Sequence, residues 1–211
     1  MNKQLLNEQK WTKRSQSYDE KRFDYFRTMQ KIVIQKMEIK EKYSYLDLGC
    51  GTGWALMQIF EQINGDGIFK GIDISKGMVE IAKKKSEGQK NIEFLEGDSE
   101  KLLFQNMYFD RALCTNSFHH YPNPQKVIDE ISRVLKIHGK CFILDVTRDD
   151  IIIDKINKHI QKIENEHVSF YSSKEYKVFF EAAGLLYYQE RVGIFKYPLK
   201  IHIGEKVNNQ L

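Results

Sequence analysis

Leu46-Asp47-Leu48-Gly49-Cys50-Gly51-Thr52-Gly53 is a short apolar run that closes on three alternating glycines. Such a stretch reads as a buried strand delivered into a tight turn, with a helix to follow. Glycine lets the backbone come very close to a ligand. The helix behind the turn presents free N–H groups and the positive end of its dipole, which suit a carboxylate as well as a phosphate. Asp47, just before the turn, can attract an ammonium group. A glycine turn alone is a weak signal, so its surroundings decide what it holds.

Downstream, residues 53–63 have the apolar spacing of a helix, and 68–73 that of a second strand. Ser75 caps a helix through residue 86. Strands follow at 91–95 and 109–114. Pro124 opens a helix that carries Val127, Ile128, Ile131, Val134 and Leu135, and Gly139 breaks it before a strand at 141–146. Residues 150–163 give another helix, and Ser172-Ser173-Lys174-Glu175 is a capping box for a helix that ends at Ala182-Ala183-Gly184. Two late strands, 185–192 and 194–203, turn around Gly193 as an antiparallel pair. Upstream, Phe23, Phe26, Met29, Val33 and Met37 predict an amphipathic helix over 20–42. This alternation specifies an α/β fold: a Rossmann-like, doubly wound, mostly parallel seven-stranded sheet with helices on both faces and a C-terminal antiparallel hairpin. It reads as one domain, with a helical segment at 1–42, a core at 43–146, and C-terminal helices and hairpin at 147–211.

Two acidic positions complete the picture. Asp73 ends the second strand, 20 residues past Gly53, where a carboxylate can accept both hydroxyls of a ribose. Gly97-Asp98-Ser99 follows the third strand, where an acid can accept from an adenine amino group while a neighbouring N–H donates to the ring. Three such features at one sheet edge are hard to reach by chance, because ligands bind at the carboxyl ends of these strands.

With those residues in place, the sequence resembles a class I S-adenosylmethionine (SAM)-dependent methyltransferase, of the small subgroup that includes the ubiquinone/menaquinone C-methyltransferases. The resemblance is strong over about residues 40–146. It makes the segment at 1–42 a lid and the core at 43–146 the cofactor-binding part. It implies SAM as cofactor and S-adenosylhomocysteine (SAH) as product. Asp47, Gly49, Cys50, Gly51 and Gly53 then form the cofactor loop. Asp73 is the ribose acid with Ile74 and Met78 beside it, and Asp98 and Ser99 face the adenine. Cys114 and Asn116 approach the cofactor from the fourth strand, and Trp11 and Tyr18-Asp19 match a lid that precedes the core. Two other readings remain open. One is a SAM- or SAH-binding sensor or accessory protein without turnover. The other is an NAD-dependent oxidoreductase, whose Gly-x-Gly-x-x-Gly fingerprint this loop does not match and which gives Asp98-Ser99 no role.

Methyl transfer is an in-line displacement at carbon from a leaving group already activated by charge, so alignment dominates. A general base is added where the acceptor must lose a proton. His119 and His120, after the fourth strand, are candidates, as is Asp145 after the fifth. Asn116, Ser117 and Phe118 adjoin them, and Tyr18 and Tyr171 can line the site. The fourth strand leads into Cys114-Thr115-Asn116-Ser117-Phe118. The Asp/Asn-Pro-Pro-aromatic motif of amino-group methyltransferases is absent there, as is the carboxylate of the metal-dependent catechol type. The expected acceptor is therefore a small, partly apolar molecule, with no metal.

Composition sets the outer bounds. The chain has 211 residues, with 33 Lys and Arg against 29 Asp and Glu. That length suits a self-sufficient core and excludes a disulfide scaffold or a disordered chain. Three cysteines with no Cys-x-x-Cys pair fit reduced thiols. No apolar run reaches the length of a membrane span and no leader is visible, so a cytoplasmic protein is expected. Residues 1–42 carry 11 basic against 6 acidic side chains. This is too mild a bias for a dedicated nucleic-acid binder, so nucleic acid is not an expected partner. The oligomeric state is not legible, although Leu199-Lys200-Ile201-His202-Ile203 is apolar enough to pair across subunits.

Overall fold

Seven strands form one sheet in the computed structural model, which describes residues 3–18, 24–163, 168–192 and 199–208. The elements are α1 (Lys3–Arg14), α2 (Asp24–Lys36), β1 (Ser44–Leu48), α3 (Trp54–Gln62), β2 (Ile68–Asp73), α4 (Lys76–Lys85) and β3 (Ile92–Glu96). There follow β4 (Phe109–Thr115), α5 (Pro124–Val134), β5 (Leu135–Val146), α6 (Ile151–Ile163), α7 (Ser173–Ala182), β6 (Leu185–Val192) and β7 (Leu199–Lys206). The strand order is β3-β2-β1-β4-β5-β7-β6. The first five in that order are parallel, and β7 runs antiparallel between β5 and β6.

The chain winds outward from β1 to β3, then returns to place β4 on the other side of β1. The crevice between the carboxyl ends of β1 and β4 is therefore the switch point at which such sheets bind ligands. Side chains alternate across the sheet. Tyr45, Leu113, Phe142 and Leu144 pack with α2, α3 and α4 on one face. Leu46, Leu48, Ala112, Cys114 and Ile143 pack with α5 and α7 on the other. β1 is buried along its whole length, as strands covered on both faces are.

Several sequence expectations shift. The helix expected over 20–42 is described from Asp24 and ends at Lys36, because Glu38 adopts a left-handed φ of 50° that no helix continues through. Residues 19–23, with Asp19 and Phe23, lie outside the described residues. Gly139 does not end α5: the helix already stops at Val134, and β5 starts at Leu135 with a register irregularity opposite β4. A Cβ at Gly139 would meet the Lys136 carbonyl at 2.8 Å, so glycine serves the irregular strand. The last strand is described over Leu199–Lys206, three residues past the expected end at 203, and residues 193–198, with the turn expected at Gly193, fall outside the described residues. Its apolar run is no subunit-pairing edge, because both of its sides are already bonded within the sheet. α1 falls within the helical segment expected at 1–42, although no separate helix was foreseen there. Among the described residues, no helix is long and apolar enough to cross a membrane.

Candidate active site

The three glycines of the loop all adopt positive φ, at 66° for Gly49, 54° for Gly51 and 80° for Gly53. Two of them are also required by packing. A methyl on Gly49 would overlap the Ser117 hydroxyl, and one on Gly53 would meet the Phe94 ring at 2.6 Å. Gly51 differs, since its missing Cβ faces only the Tyr18 ring at 3.6 Å. The loop is stitched to the end of β2. Cys50 N–H donates to the Ile72 carbonyl at 2.9 Å. The N–H groups of Gly51 and Ser75 donate to the two Asp73 carboxylate oxygens, each at 2.8 Å. Burial raises the Asp73 carboxyl, and these two donors oppose the rise.

Beneath the loop lies an unpaired buried acid. Asp47 is 1% exposed, and neither carboxylate oxygen has a hydrogen-bond partner. Burial, with Asp73 nearby, pushes its carboxyl well above the usual carboxylate range. The Asn116 side-chain N–H₂, past the end of neighbouring β4, is likewise buried and unbonded. Buried polar groups are ordinarily satisfied, so an acceptor and a donor orphaned together fit a zwitterionic ligand group. The chemistry suits the methionyl end of SAM: carboxylate acceptors for an ammonium, loop N–H groups for a carboxylate. Asp73 and Asp98 both open onto the cleft above this loop.

The cleft above encloses about 1010 Å³ of empty space, open solvent at its mouth included. Gly49, Cys50, Gly51, Asp73, Ile74, Met78, Asp98, Ser99 and Asn116 line it, as does His120. The N-terminal segment covers it with Trp11, Tyr18 and Phe26. Asn7 Nδ2 donates to the His120 carbonyl at 3.0 Å, and the Trp11 and His120 rings meet edge to face at 5.3 Å. Thr12 and Ser75 share a hydroxyl hydrogen bond of 2.9 Å, which ties α1 to the cap of α4.

His119 lies beside this cleft, not on its wall. Residues Phe118–His120 form a 3-10 turn, in which the His119 and His120 rings stay in contact at 4.0 Å between centroids. His120 faces the cleft, and His119 turns toward the end of β5. There Asp145, 1% exposed, is 2.8 Å from His119 Nδ1 and accepts from its backbone N–H at 3.1 Å. A carboxylate partner puts the proton on Nδ1 and leaves Nε2 as the acceptor. Phe170 packs edge-on against the His119 ring at 5.4 Å.

Several sequence-selected residues thus stand off the cleft wall: Asp47 and Gly53 support the loop, Cys114 lies beneath it, Phe118 is in the core, and His119 and Asp145 form the adjoining pair. Tyr171 is buried against Phe118. Sequence reasoning missed Tyr121. Its hydroxyl bonds Ser117 at 2.8 Å and Ser99 at 3.2 Å, joining the β3 and β4 ends under the cofactor loop. Burial keeps this phenol protonated. Its position directly after His119-His120 was the available signal. Asn7, Gln30, Trp54 and Thr115 also line the cleft and were not foreseen.

Comparison with known proteins agrees with this geometry. A family model described as a methyltransferase domain matches residues 39–184. The uncharacterised methyltransferase YcgJ of Bacillus subtilis is 28% identical over 188 residues, covering 87% of this chain and 73% of its own length. The demethylmenaquinone methyltransferase of Lactococcus lactis is 37% identical over 114 residues, 53% of this chain and 45% of its own length. The chain spans about half the length of such demethylmenaquinone enzymes. The structure of a SAM-dependent methyltransferase from Aquifex aeolicus matches with a TM-score of 0.71 at 23% identity, over 93% of this chain and 98% of its own. The chain therefore belongs to the methyltransferase domain family.

Proposed function

We propose that the protein methylates a small, partly apolar aromatic acceptor of the phenol or quinol class, with His119 as general base and Asp145 as its positioning residue. The observation that carries this reading is the buried Asp145 carboxylate held 2.8 Å from His119 Nδ1 beside the cleft. When bound, SAM supplies a methyl group made electrophilic by its positive sulfur. Asp47, the glycine loop, Asp73 and Asp98 hold it. Trp11, Tyr18 and Phe26 form an aromatic wall suited to a flat acceptor and exclude water. The His119 ring touches that of cleft-lining His120 at 4.0 Å, and an acceptor seated at this edge gives its hydroxyl proton to Nε2 of His119, which raises electron density on the oxygen and ring carbons. Asp145 keeps the Nδ1 proton in place and stabilises the imidazolium that results. The names of the demethylmenaquinone relatives favour a quinol over other phenols.

The test is methyl transfer from labelled SAM to a panel of naphthoquinols and phenols, after SAH binding has been established by thermal shift. A quinol should be turned over, and His119→Ala should lower kcat roughly 10²–10⁴-fold with SAH affinity unchanged. Unaltered turnover in that variant would remove His119 from the chemistry.

A further inference from the structure

The outer surface of α6 is unlike that of the other helices. Its inner side is anchored: Ile153 and Asn157 are buried, and Asn157 Oδ1 accepts from the Phe170 N–H at 2.8 Å. Arg148 donates to the Phe170 carbonyl and pairs with Asp154. Beside that anchored side runs a strip of Ile152, Ile156 and Ile163, which are 60%, 38% and 61% exposed. At 100° per residue these three fall within a 40° arc. The next arc outward carries Lys155, His159 and Lys162. An apolar strip bordered by lysines is the pattern of a helix that lies in a membrane interface, with the chains dipping in and the ammonium groups at the headgroups.

We infer that α6 docks the protein on an anionic lipid bilayer. Charge complementarity selects this occupant. α6 carries Lys155, Lys158 and Lys162 against Asp154 alone, so two copies packed on this strip would bring lysine rows together, whereas anionic headgroups neutralise them. Three isoleucines also fall short of the ~800 Å² per partner that a stable protein interface needs. The location adds a second argument. Phe170, bonded to α6, packs on His119, and α1 with basic Lys13 and Arg14 at its end is bonded to His120. Both basic helices therefore flank the same His119–His120 turn. Docking places the acceptor side of the cleft at the bilayer surface, where an apolar quinol resides. This last step rests on the proposed acceptor class. The docking itself does not.

The experiment is co-sedimentation of the full chain with vesicles of phosphatidylcholine alone and of phosphatidylcholine mixed with phosphatidylglycerol. The mixed vesicles should bind the protein at least tenfold better. High salt should reverse the gain, because each lysine near an anionic surface is worth roughly fivefold in partition. The triple variant Ile152→Ser, Ile156→Ser, Ile163→Ser should lose vesicle binding while keeping its melting temperature and SAH affinity. Equal binding by wild type and variant, or binding to neither vesicle, would overturn the proposal. So would a dimer that the variant dissolves without any vesicle binding. Vesicle binding without quinol methylation would leave the docking standing and remove the acceptor assignment.

Discussion

Asp145 grips His119 at two points, through the ring Nδ1 at 2.8 Å and the backbone N–H at 3.1 Å. Its remaining bond is to the Val146 N–H at 2.7 Å, so the carboxylate is itself fixed in the turn after β5. Ring and backbone of one residue are thus locked to a single group. In the Asp145→Asn variant, one face of the side chain can no longer accept, and the imidazole tautomer is free to reverse. The expected result is a fall in kcat of about 10²-fold or more, with SAH affinity retained. A pH–rate profile checks the assignment: a purely structural role would lower the plateau without moving the acidic limb.

Gly49 and Gly51 should respond differently to the same change. Gly49→Ala forces a side chain into the Ser117 hydroxyl at positive φ, and the fold itself should lose stability, visible as a lowered melting temperature. Gly51→Ala has room for its methyl and meets only the φ penalty of about 1–2 kcal/mol. Its methyl stands in the cleft under Tyr18, so SAH affinity should fall tenfold or more in a protein that remains folded. Isothermal titration on both variants separates these outcomes, and unchanged affinity in Gly51→Ala would place the ligand elsewhere.

The N-terminal cover should be sensitive to cofactor. α1 is held to the body by hydrogen bonds from Asn7 and Thr12 and by the Trp11 ring, all of which end at the rim of the cleft. A ligand seated beneath Tyr18 stabilises the covered state by mass action. Tryptic cleavage after Lys10, Lys13 and Arg14 should slow several-fold in saturating SAH. Equal rates with and without SAH would mean that the cover is not coupled to the site.

Stability should fall in mild acid through His202. This ring is fully buried, stacked on Tyr176 at 3.7 Å and bonded to Tyr187 and Thr147. Burial lowers its pKa from 6.5 to about 3. The native state keeps the ring neutral while the unfolded chain takes up a proton below pH 6.5, so stability is full above that value and declines toward pH 3. The linked loss between pH 6.5 and 5 is about 2 kcal/mol. Urea unfolding at both pH values should show it in the wild type and not in His202→Phe.

The parts of this site written in contiguous residues were legible. The alternating glycines, the Ser75 cap and the acids at the ends of β2 and β3 each follow from local geometry that a short window contains. The fold followed from the same windows, because strand and helix periods are local. What escaped depends on contacts across the chain. Asn7 reaches His120 over 113 positions. Tyr121 matters because β3 and β4 end side by side at Ser99 and Ser117. His119 and His120 were equivalent as letters, and only their distant partners, Asp145 for one and Trp11 for the other, tell them apart. The early end of α2 escaped because a left-handed Glu38 carries no compositional mark.

β7 is the last described strand of the chain, yet it lies inside the sheet. β5 and β6 touch it on either side, and both antiparallel ladders depend on it. During synthesis, β5 and β6 therefore emerge with exposed edges and must wait for residues 199–206 before either edge is closed. Until then, those open edges and the uncovered side of β5 are the parts of the nascent protein most in need of a chaperone. Interrupting translation before β7 should yield an aggregation-prone intermediate, although the glycine loop and both acids that follow it have already been made.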